Sequence, residues 1–231
     1  METSRRFDYR FSGPDGLSLE LAVVLDGETM TCVEPAPVAK PWTALAAHQC
    51  GNCPLDPARV ALCPYAARIE PVIRPLENLI SHETVVMEAD DGNRQVSSRT
   101  SAQAAVSSVI GLIGAVSGCP RTAFLRPMAW FHLPLADPEE TLFRAAGSYL
   151  LGQYFAQDDG GTADWQMDGL KDHYRELRTV NLAMAGRLRE AGGQDAAINA
   201  LVRLDALAMG VLDSIDAFLD RLGPIFRRLG P

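Results

Sequence analysis

At 231 residues, with 47% hydrophobic and 22% charged residues, the chain has the size and composition of an ordinary globular protein of one large or two small domains. Its 21 basic and 29 acidic residues leave a net charge of −8. This charge argues against a nucleic-acid-binding protein, which needs a basic surface to replace the counterions of the phosphates.

The chain also lacks the signals of a membrane or secreted protein. Its longest apolar stretch, around residues 104–116, falls short of the ~20 residues that a membrane-spanning helix needs, and we expect no membrane partner. The arginines near the start are not followed by an apolar run, so no secretory signal is predicted and we expect a cytoplasmic protein. In that reducing compartment the five cysteines are expected to be thiols or metal ligands rather than structural disulfides.

The N-terminal part of the chain is predicted to form an antiparallel β-sheet of about five strands. Apolar residues alternate with polar ones between turn-forming segments at residues 13–16 and 26–27, which indicates three consecutive strands. A second hairpin, turning at residues 89–93, is expected to extend the sheet. The predicted strands are residues 7–11, 17–25, 29–33, 84–88 and 94–98.

Helix signals follow each part of this sheet. The pair Cys63-Pro64 predicts a cap followed by proline at the first helical position. Thr100 and Gln103 predict a capping box that opens a helix over residues 101–117, and a glycine at position 118 is placed to end it. Cys119 is therefore expected just past the C-terminus of a helix.

From Asp137 onward the sequence predicts only helices. Asp137, followed by proline and two glutamates, is typical of a helix start, and this helix is expected to reach about residue 156. Two long helices, about 165–190 and 194–222, are predicted to form an antiparallel hairpin hinged at residues 191–193. The predicted contact positions are Leu170, Tyr174, Leu177, Asn181, Met184 and Leu188 on the first helix, and Leu201, Leu204, Ala208, Val211, Ile215, Phe218 and Leu222 on the second.

The resulting fold class is α+β. Residues 1–135 are predicted to form the α+β part with the antiparallel sheet and its packed helices, and residues 136–231 the all-helical part with the long hairpin. The two parts are expected either to be separate domains or to share one hydrophobic core.

Four cysteines carry the clearest chemical signal in the chain. Cys50 and Cys53 form a Cys-x2-Cys knuckle, a spacing that lets two sulfurs and several backbone amides converge on one ion. Cys63 follows in the same segment, at a predicted helix N-terminus where the helix dipole favours a thiolate. We predict that Cys119 joins them from a distance as the fourth ligand. Four soft ligands suit zinc or an iron–sulfur cluster better than calcium or magnesium.

Zinc is the favoured cofactor, and a [4Fe-4S] cluster is the alternative, because the compact three-cysteine run of ferredoxins is missing. Four thiolates leave no open coordination position, so the zinc would be structural. The competing interpretation has no metal, since free cysteines are among the most buried residue types. A Cys50–Cys53 dithiol that cycles with a disulfide belongs to that interpretation. Cys32, on a predicted strand, is expected to be a core residue.

Three further polar residues are secondary candidates. His48 is an alternative ligand in place of one cysteine, although a neighbouring position is the favoured interpretation. His132 follows Cys119 closely. It is a candidate either for a residue that contacts a metal ligand without binding the metal or for a catalytic group, although a structural role is favoured. Asn181 interrupts an apolar helix face, where a lone polar residue commonly fixes the register of packed helices; contact with a ligand is the alternative.

The sequence gives little support to an enzyme. No nucleophile elbow, phosphate-binding glycine loop, dinucleotide fingerprint or His-Glu-x-x-His helix is present. The leading hypothesis is a non-enzymatic regulatory or interaction protein whose metal fastens residues 48–66 to the helix end at Ser117, with the C-terminal helices available to a protein partner or a homodimer. The first alternative is a redox or iron–sulfur sensor using the same cysteines. The second is an enzyme with a pocket between sheet and helices, using His132 or His173.

Short motifs spread over nearly the whole chain carry a resemblance to a protein family. They are HQCGNCPL at residues 48–55, CP at 63–64, SGCP at 117–120, HLP at 132–134, YLLGQYF at 149–155 and NALV at 199–202. Together these motifs resemble an uncharacterised family of bacterial cytosolic proteins with a domain of unknown function. The resemblance implies a bacterial cytosolic protein and supplies no catalytic residue.

Overall fold

The computed structural model describes residues 3–13, 16–76, 78–192 and 195–229 of the chain. Within these ranges the fold is α+β, as predicted, with five strands and six α-helices. The strands are β1 (Ser4–Ser12), β2 (Ser18–Asp26), β3 (Cys32–Glu34), β4 (Thr84–Asp90) and β5 (Gln95–Ser101). The helices are α1 (Pro64–Ile73), α2 (Ala102–Val116), α3 (Arg126–Trp130), α4 (Pro138–Asp158), α5 (Asp168–Glu190) and α6 (Asp195–Leu229).

The five strands form one sheet in the order β3-β2-β1-β4-β5, and each neighbouring pair is antiparallel. The predicted antiparallel sheet is therefore confirmed. The third strand is shorter than predicted, because the Asp26 carboxylate accepts the backbone N–H groups of Glu28 and Thr29 and holds these residues in a turn. Of the turn predicted at residues 13–16, positions 14 and 15 lie outside the described residues.

Helix α2 follows β5 without a loop, and the capping box predicted for its start is wrong. Thr100 lies within β5, and the helix begins two residues later. The N–H groups of Ala102 and Gln103 donate to the carbonyls of Glu83 and Ser81 at 2.8 and 3.0 Å. Because distant backbone carbonyls satisfy these first donors, the helix needs no local side-chain cap. At the other end Gly118 has φ +93°, the left-handed conformation typical of a glycine that ends a helix, as predicted.

The C-terminal helices confirm the predicted hairpin. Lys171 of α5 forms an ion pair with Asp216 of α6 (3.0 Å). Arg178, later in α5, pairs with Asp205, earlier in α6 (3.2 Å), so the two helices are antiparallel. Helix α6 continues through its internal proline to residue 229, beyond the predicted end near 222. Of the predicted hinge at residues 191–193, position 193 lies outside the described residues.

Helix α4 begins with the predicted capping box. Asp137 accepts the backbone N–H of Glu140, and the Glu140 carboxylate accepts the backbone N–H of Asp137. Among the described helices, none combines the length and the apolar composition of a bilayer-crossing segment.

The buried residues form two hydrophobic clusters. The larger cluster combines the inner face of the sheet with α1, α2, the C-terminal half of α5 and the start of α6. The smaller one lies among α4, the N-terminal half of α5 and the middle of α6. The larger cluster thus contains residues from both sides of the predicted boundary at 135, and the division of the chain into two folding units stays a prediction.

A close contact between α1 and α2 gives a stability prediction. A Cβ atom at Gly114 would lie 2.6 Å from Cζ of the buried Tyr65 ring. Overpacking a core costs roughly 1–3 kcal/mol, and alanine gains at most ~1 kcal/mol over glycine in a helix. We therefore expect Gly114→Ala to lower the free energy of unfolding by about 1–2 kcal/mol, measured by urea denaturation.

The matched control is Gly147 in the middle of α4, where an added Cβ would meet no atom within 4 Å. Because only helix propensity changes at that position, Gly147→Ala should raise the free energy of unfolding by up to about 1 kcal/mol. If both alanine variants were stabilised alike, the tight packing of Tyr65 on α2 would be contradicted.

Candidate functional site

The knuckle that contains Cys50 and Cys53 is a tight turn docked on α5. The Cys53 N–H donates to the Cys50 carbonyl at 3.0 Å and closes the turn. The Asn52 side-chain amide donates to the Glu176 carbonyl at 3.0 Å. From the segment after α2, Arg121 donates through Nε to the Asn52 carbonyl and through Nη1 to the Glu176 carboxylate, each at 2.6 Å. These bonds hold the knuckle against two other parts of the fold.

Cys63 lies where the same segment enters α1. It is the N-cap residue of that helix and is followed by proline at the first helical position, as predicted. Its N–H donates to the Thr43 carbonyl at 2.8 Å, and its side chain is buried.

Cys119 is held in the turn that follows α2. Its N–H donates to the Ser117 hydroxyl at 3.2 Å. The Thr122 hydroxyl donates to the Gly114 carbonyl at 2.6 Å and ties the outgoing chain back to the helix. Cys119 is buried at this helix end, the place predicted for it.

These four cysteines line one small cavity of about 10 Å³, referred to below as the cysteine cavity. Its walls are Leu45, Cys50, Cys53, Leu55, Cys63, Pro64, Tyr65, Cys119, Arg121, Val180, Met184 and Arg187. The structure therefore brings Cys119 to the three cysteines of the distant segment. A cavity of this size holds about one water-sized atom, so a single ion fits it better than a cluster of four irons.

All four residues are free thiols. In the described ranges of the chain, no group of three or more His, Cys, Asp or Glu side chains is placed so that it could hold a metal ion. The cysteines share a cavity without forming a coordination shell, and metal binding stays a prediction.

The cysteine cavity disfavours thiolates when no cation is bound. The pKa of Cys50 is raised to about 12, mainly by burial and to a smaller extent by Cys63, Cys119 and Cys53, while the positive charge of Arg187 opposes the shift. Burial also raises the pKa of Cys119. A metal entering this cavity would therefore have to displace protons from the thiols.

Arg187, on α5, is the unusual charged group in the cavity wall, because its side chain is only 1% exposed. Its guanidinium donates to four backbone carbonyls, those of Trp42, Ala44, Leu45 and His48. Its Nε is buried and has no hydrogen-bond partner. Among the described residues, carboxylates pair with the neighbouring Arg121 and Arg178, but none pairs with Arg187.

The sequence analysis did not identify Arg187 as part of the site. The available signal was its spacing, since it lies three residues after Met184 and seven after Val180, both buried on the same face of α5. A charged residue at a core position of an amphipathic helix indicates a buried partner.

The other polar candidates do not line the cysteine cavity. The His48 side chain is exposed and pairs with the Glu190 carboxylate. Asn181 is buried on the α5 face that packs in the hairpin, and its role in register stays a prediction. His173 is exposed and stacks on Phe124 with ring centroids 4.8 Å apart.

His132 lies in the loop after α3. Its Nε2 is 2.6 Å from the Tyr9 hydroxyl, and its ring packs edge-on against Phe7. Burial lowers the pKa of His132 to about 3, with a smaller contribution from the positive charge of Arg144. The imidazole is therefore neutral near pH 7 and shares a hydrogen bond with the Tyr9 hydroxyl. His132 borders a different cavity, which lies among helices α2, α3, α4 and α6.

Comparison with known proteins identifies one family. A family model described as a domain of unknown function (DUF6901) matches residues 7–227. Neither a curated protein nor a solved structure matches the chain. The matched range includes all four cysteines of the cavity and Arg187.

Proposed function

Given that the chain belongs to the family of this domain of unknown function (DUF6901), we propose that it is a non-enzymatic regulatory or interaction protein of the bacterial cytosol. In this proposal Cys50, Cys53, Cys63 and Cys119 bind one structural zinc ion. The supporting observation is that one cavity is surrounded by four thiols, three from residues 50–63 and one from the turn after α2, and by a buried guanidinium that pairs with no carboxylate of the described residues.

The charge of Arg187 favours an occupied cavity. A buried cation is costly unless an opposite charge lies nearby, and carbonyl dipoles supply only part of that compensation. Zinc bound by four thiolates carries a net negative charge, which would be the counter-charge of the guanidinium. The unpaired Nε–H would then have a thiolate sulfur to donate to.

The size of the cysteine cavity also suits an ion. Zinc–sulfur bonds are about 2.3 Å long, so the four thiols must rotate towards a common centre when zinc binds. The surrounding backbone is already fixed by the hydrogen bonds of the knuckle, the α1 cap and the turn after α2. In this proposal side-chain rotations, without a change of fold, complete a tetrahedral site.

Zinc in this position would act as a cross-link. It would fasten the segment from Cys50 to Cys63 to the end of α2, beside the buried Arg187 of α5. Because the ligands come from separate segments, the free energy of zinc binding becomes part of the free energy of folding. The ion would thereby stabilise the contact between this segment and the end of α2.

The interaction role rests on the surface of the C-terminal helices. Four large apolar side chains of α4 are exposed: Phe143, Leu151, Tyr154 and Phe155. Several exposed apolar residues on one helix are typical of a surface that contacts another protein. A protein partner or a homodimer formed through these helices is therefore part of the proposal.

The test is metal analysis of protein purified under reducing, anaerobic conditions without chelator. We expect a colourless protein with about one zinc per chain. Cys50→Ser and Cys119→Ser should lose the metal to a similar extent, although one residue is in the knuckle and the other past α2. Cys32→Ser is the matched control, because Cys32 is also buried but lies on β3, away from the cavity.

Other outcomes select the alternatives. A brown protein with visible absorption, iron and sulfide would replace zinc by an iron–sulfur centre and favour the redox-sensor role. Protein free of both metals would refute the metal site. Full zinc content in the Cys119→Ser variant would remove Cys119 from the ligand set.

A further inference from the structure

A second cavity, of about 150 Å³, lies among α2, α3, α4 and α6 and contains none of the cysteines. We refer to it as the helix cavity. Most of its wall is apolar, including Leu112 and Ala115 of α2, Met128 of α3, and Leu204 and Leu207 of α6. An engineered protein cavity of about this volume, lined by apolar residues, is known to bind benzene. The space therefore suits a ring or a chain of about six carbons.

Two arginines border this apolar space. Arg144 of α4 donates through Nη2 to the carbonyls of Met128 and Phe131 at 2.7 and 2.8 Å. Arg203 of α6 is exposed and lies at the same cavity. Within the described part of the chain, neither guanidinium forms an ion pair, whereas Arg121, Arg178 and Arg221 each have a carboxylate within 4 Å.

The environment of Arg144 makes an anion favourable at this position. Burial lowers the pKa of Arg144, which reflects the cost of keeping its charge away from water. The hydrogen bonds to two carbonyls occupy one terminal nitrogen and leave the remaining donors of the guanidinium for a ligand. A carboxylate matches that fork with two parallel hydrogen bonds.

We propose that the helix cavity binds a small organic carboxylate, with its apolar body among α2, α3 and α6 and its carboxylate at Arg144 and Arg203. Inorganic phosphate lacks the apolar body that the leucines and alanines of the wall would contact. A neutral molecule of the same shape leaves both guanidinium groups without an ion-pair partner among the described residues. The chemistry of the wall thus selects an anionic head on a short apolar group.

The test is titration of the isotopically labelled full-length protein, as purified, followed by NMR chemical shifts. Benzoate and hexanoate are the anionic probes, and benzyl alcohol and hexanol are neutral probes of similar shape. We expect saturable shifts at cavity residues of α2, α4 and α6, and at least roughly tenfold tighter binding of the acids, since a charge-assisted hydrogen bond contributes about 1.5–3 kcal/mol.

Two variants separate the apolar and the ionic contributions. Arg203→Gln should weaken the acids by about tenfold and leave the alcohols unchanged, because Arg203 is exposed and its loss need not disturb the core. Ala136→Leu fills the cavity and should weaken acids and alcohols together. Arg189→Gln, an exposed arginine of α5 outside the cavity, should bind like the original protein.

Equal affinity for acids and alcohols would overturn the assignment of the anionic head. Unchanged binding of the acids by Arg203→Gln would overturn the role of that residue at the cavity. The absence of saturable shifts with millimolar benzoate and hexanoate would overturn the whole proposal. These results are independent of the zinc content of the protein, because the helix cavity and the cysteine cavity share no lining residue.

Discussion

Arg187→Met is expected to lower the free energy of unfolding by about 3–5 kcal/mol and to abolish zinc binding. The substitution keeps most of the apolar stem that packs in α5 but removes the hydrogen bonds that Arg187 donates to four carbonyls between residues 42 and 48. The bond to the Leu45 carbonyl is buried and the other three are partly buried, so water replaces the lost donors only in part. The proposed tetrathiolate centre would also lose its counter-charge.

Arg187→Lys separates the charge from the hydrogen bonds. Lysine keeps a positive charge, but its single ammonium group cannot reproduce the planar fork of arginine. We expect this variant to lose stability and to retain part of the zinc. Arg189→Met is the matched control, since Arg189 lies two residues further along α5 and is exposed. It should change the free energy of unfolding by less than about 0.5 kcal/mol.

The measurements are urea denaturation with and without chelator, and zinc content after purification. Zinc bound to Arg187→Met with unchanged affinity would show that the guanidinium does not compensate the centre. A metal-free original protein that is as stable as its zinc form, combined with a large loss in Arg187→Met, would assign Arg187 a structural role only.

The sheet and the hairpin could be predicted because their signals are local. In β2 the residues at odd positions are the more buried ones, and the period-two pattern of the sequence places Val23 and Leu25 on the inner face. The α5–α6 hairpin follows from apolar residues at spacings of three and four, whose α5 members are all buried. The start of α4 follows from a capping box that lies within four consecutive residues.

The two errors have different causes, a contact from a distant part of the chain at α2 and a local side-chain hydrogen bond at β3. The start of α2 depends on carbonyls of residues 81 and 83, which lie before β4 in the sequence. The short β3 depends on a side-chain hydrogen bond of Asp26 that competes with strand pairing. Neither contact leaves a periodic pattern in the sequence that would predict it.

The candidate site shows the same division. The spacing of Cys50 and Cys53 predicts a knuckle, and the cap at Cys63 is also a local signal. The approach of Cys119 to these residues depends on how α2 packs against α1, which a single sequence does not encode in any local pattern. The partners of Arg187 are similarly non-local, since Arg187 donates to carbonyls about 140 residues earlier in the chain.

Removal of zinc by a chelator under reducing conditions is expected to destabilise the protein and to loosen one region first. A ligand that binds only the folded state stabilises it by about 4 kcal/mol when its free concentration is a thousand times its dissociation constant. For a chain of this length each kcal/mol changes the melting temperature by about 2–4 °C, so we expect a decrease of roughly 10 °C.

The loosened region should be the one that the ion cross-links. Amide hydrogen exchange is expected to rise first in residues 48–66 and in the turn after α2, because the knuckle has few backbone hydrogen bonds of its own. The cluster among α4, α5 and α6 lies apart from the cysteine cavity and should keep its protection. Cys119→Ser is the control, since a variant without the metal should not respond to the chelator. If exchange rose first in α4 or in the β4–β5 hairpin, the ion would not be the cross-link between the knuckle and α2, because neither element contributes a residue to the cavity wall.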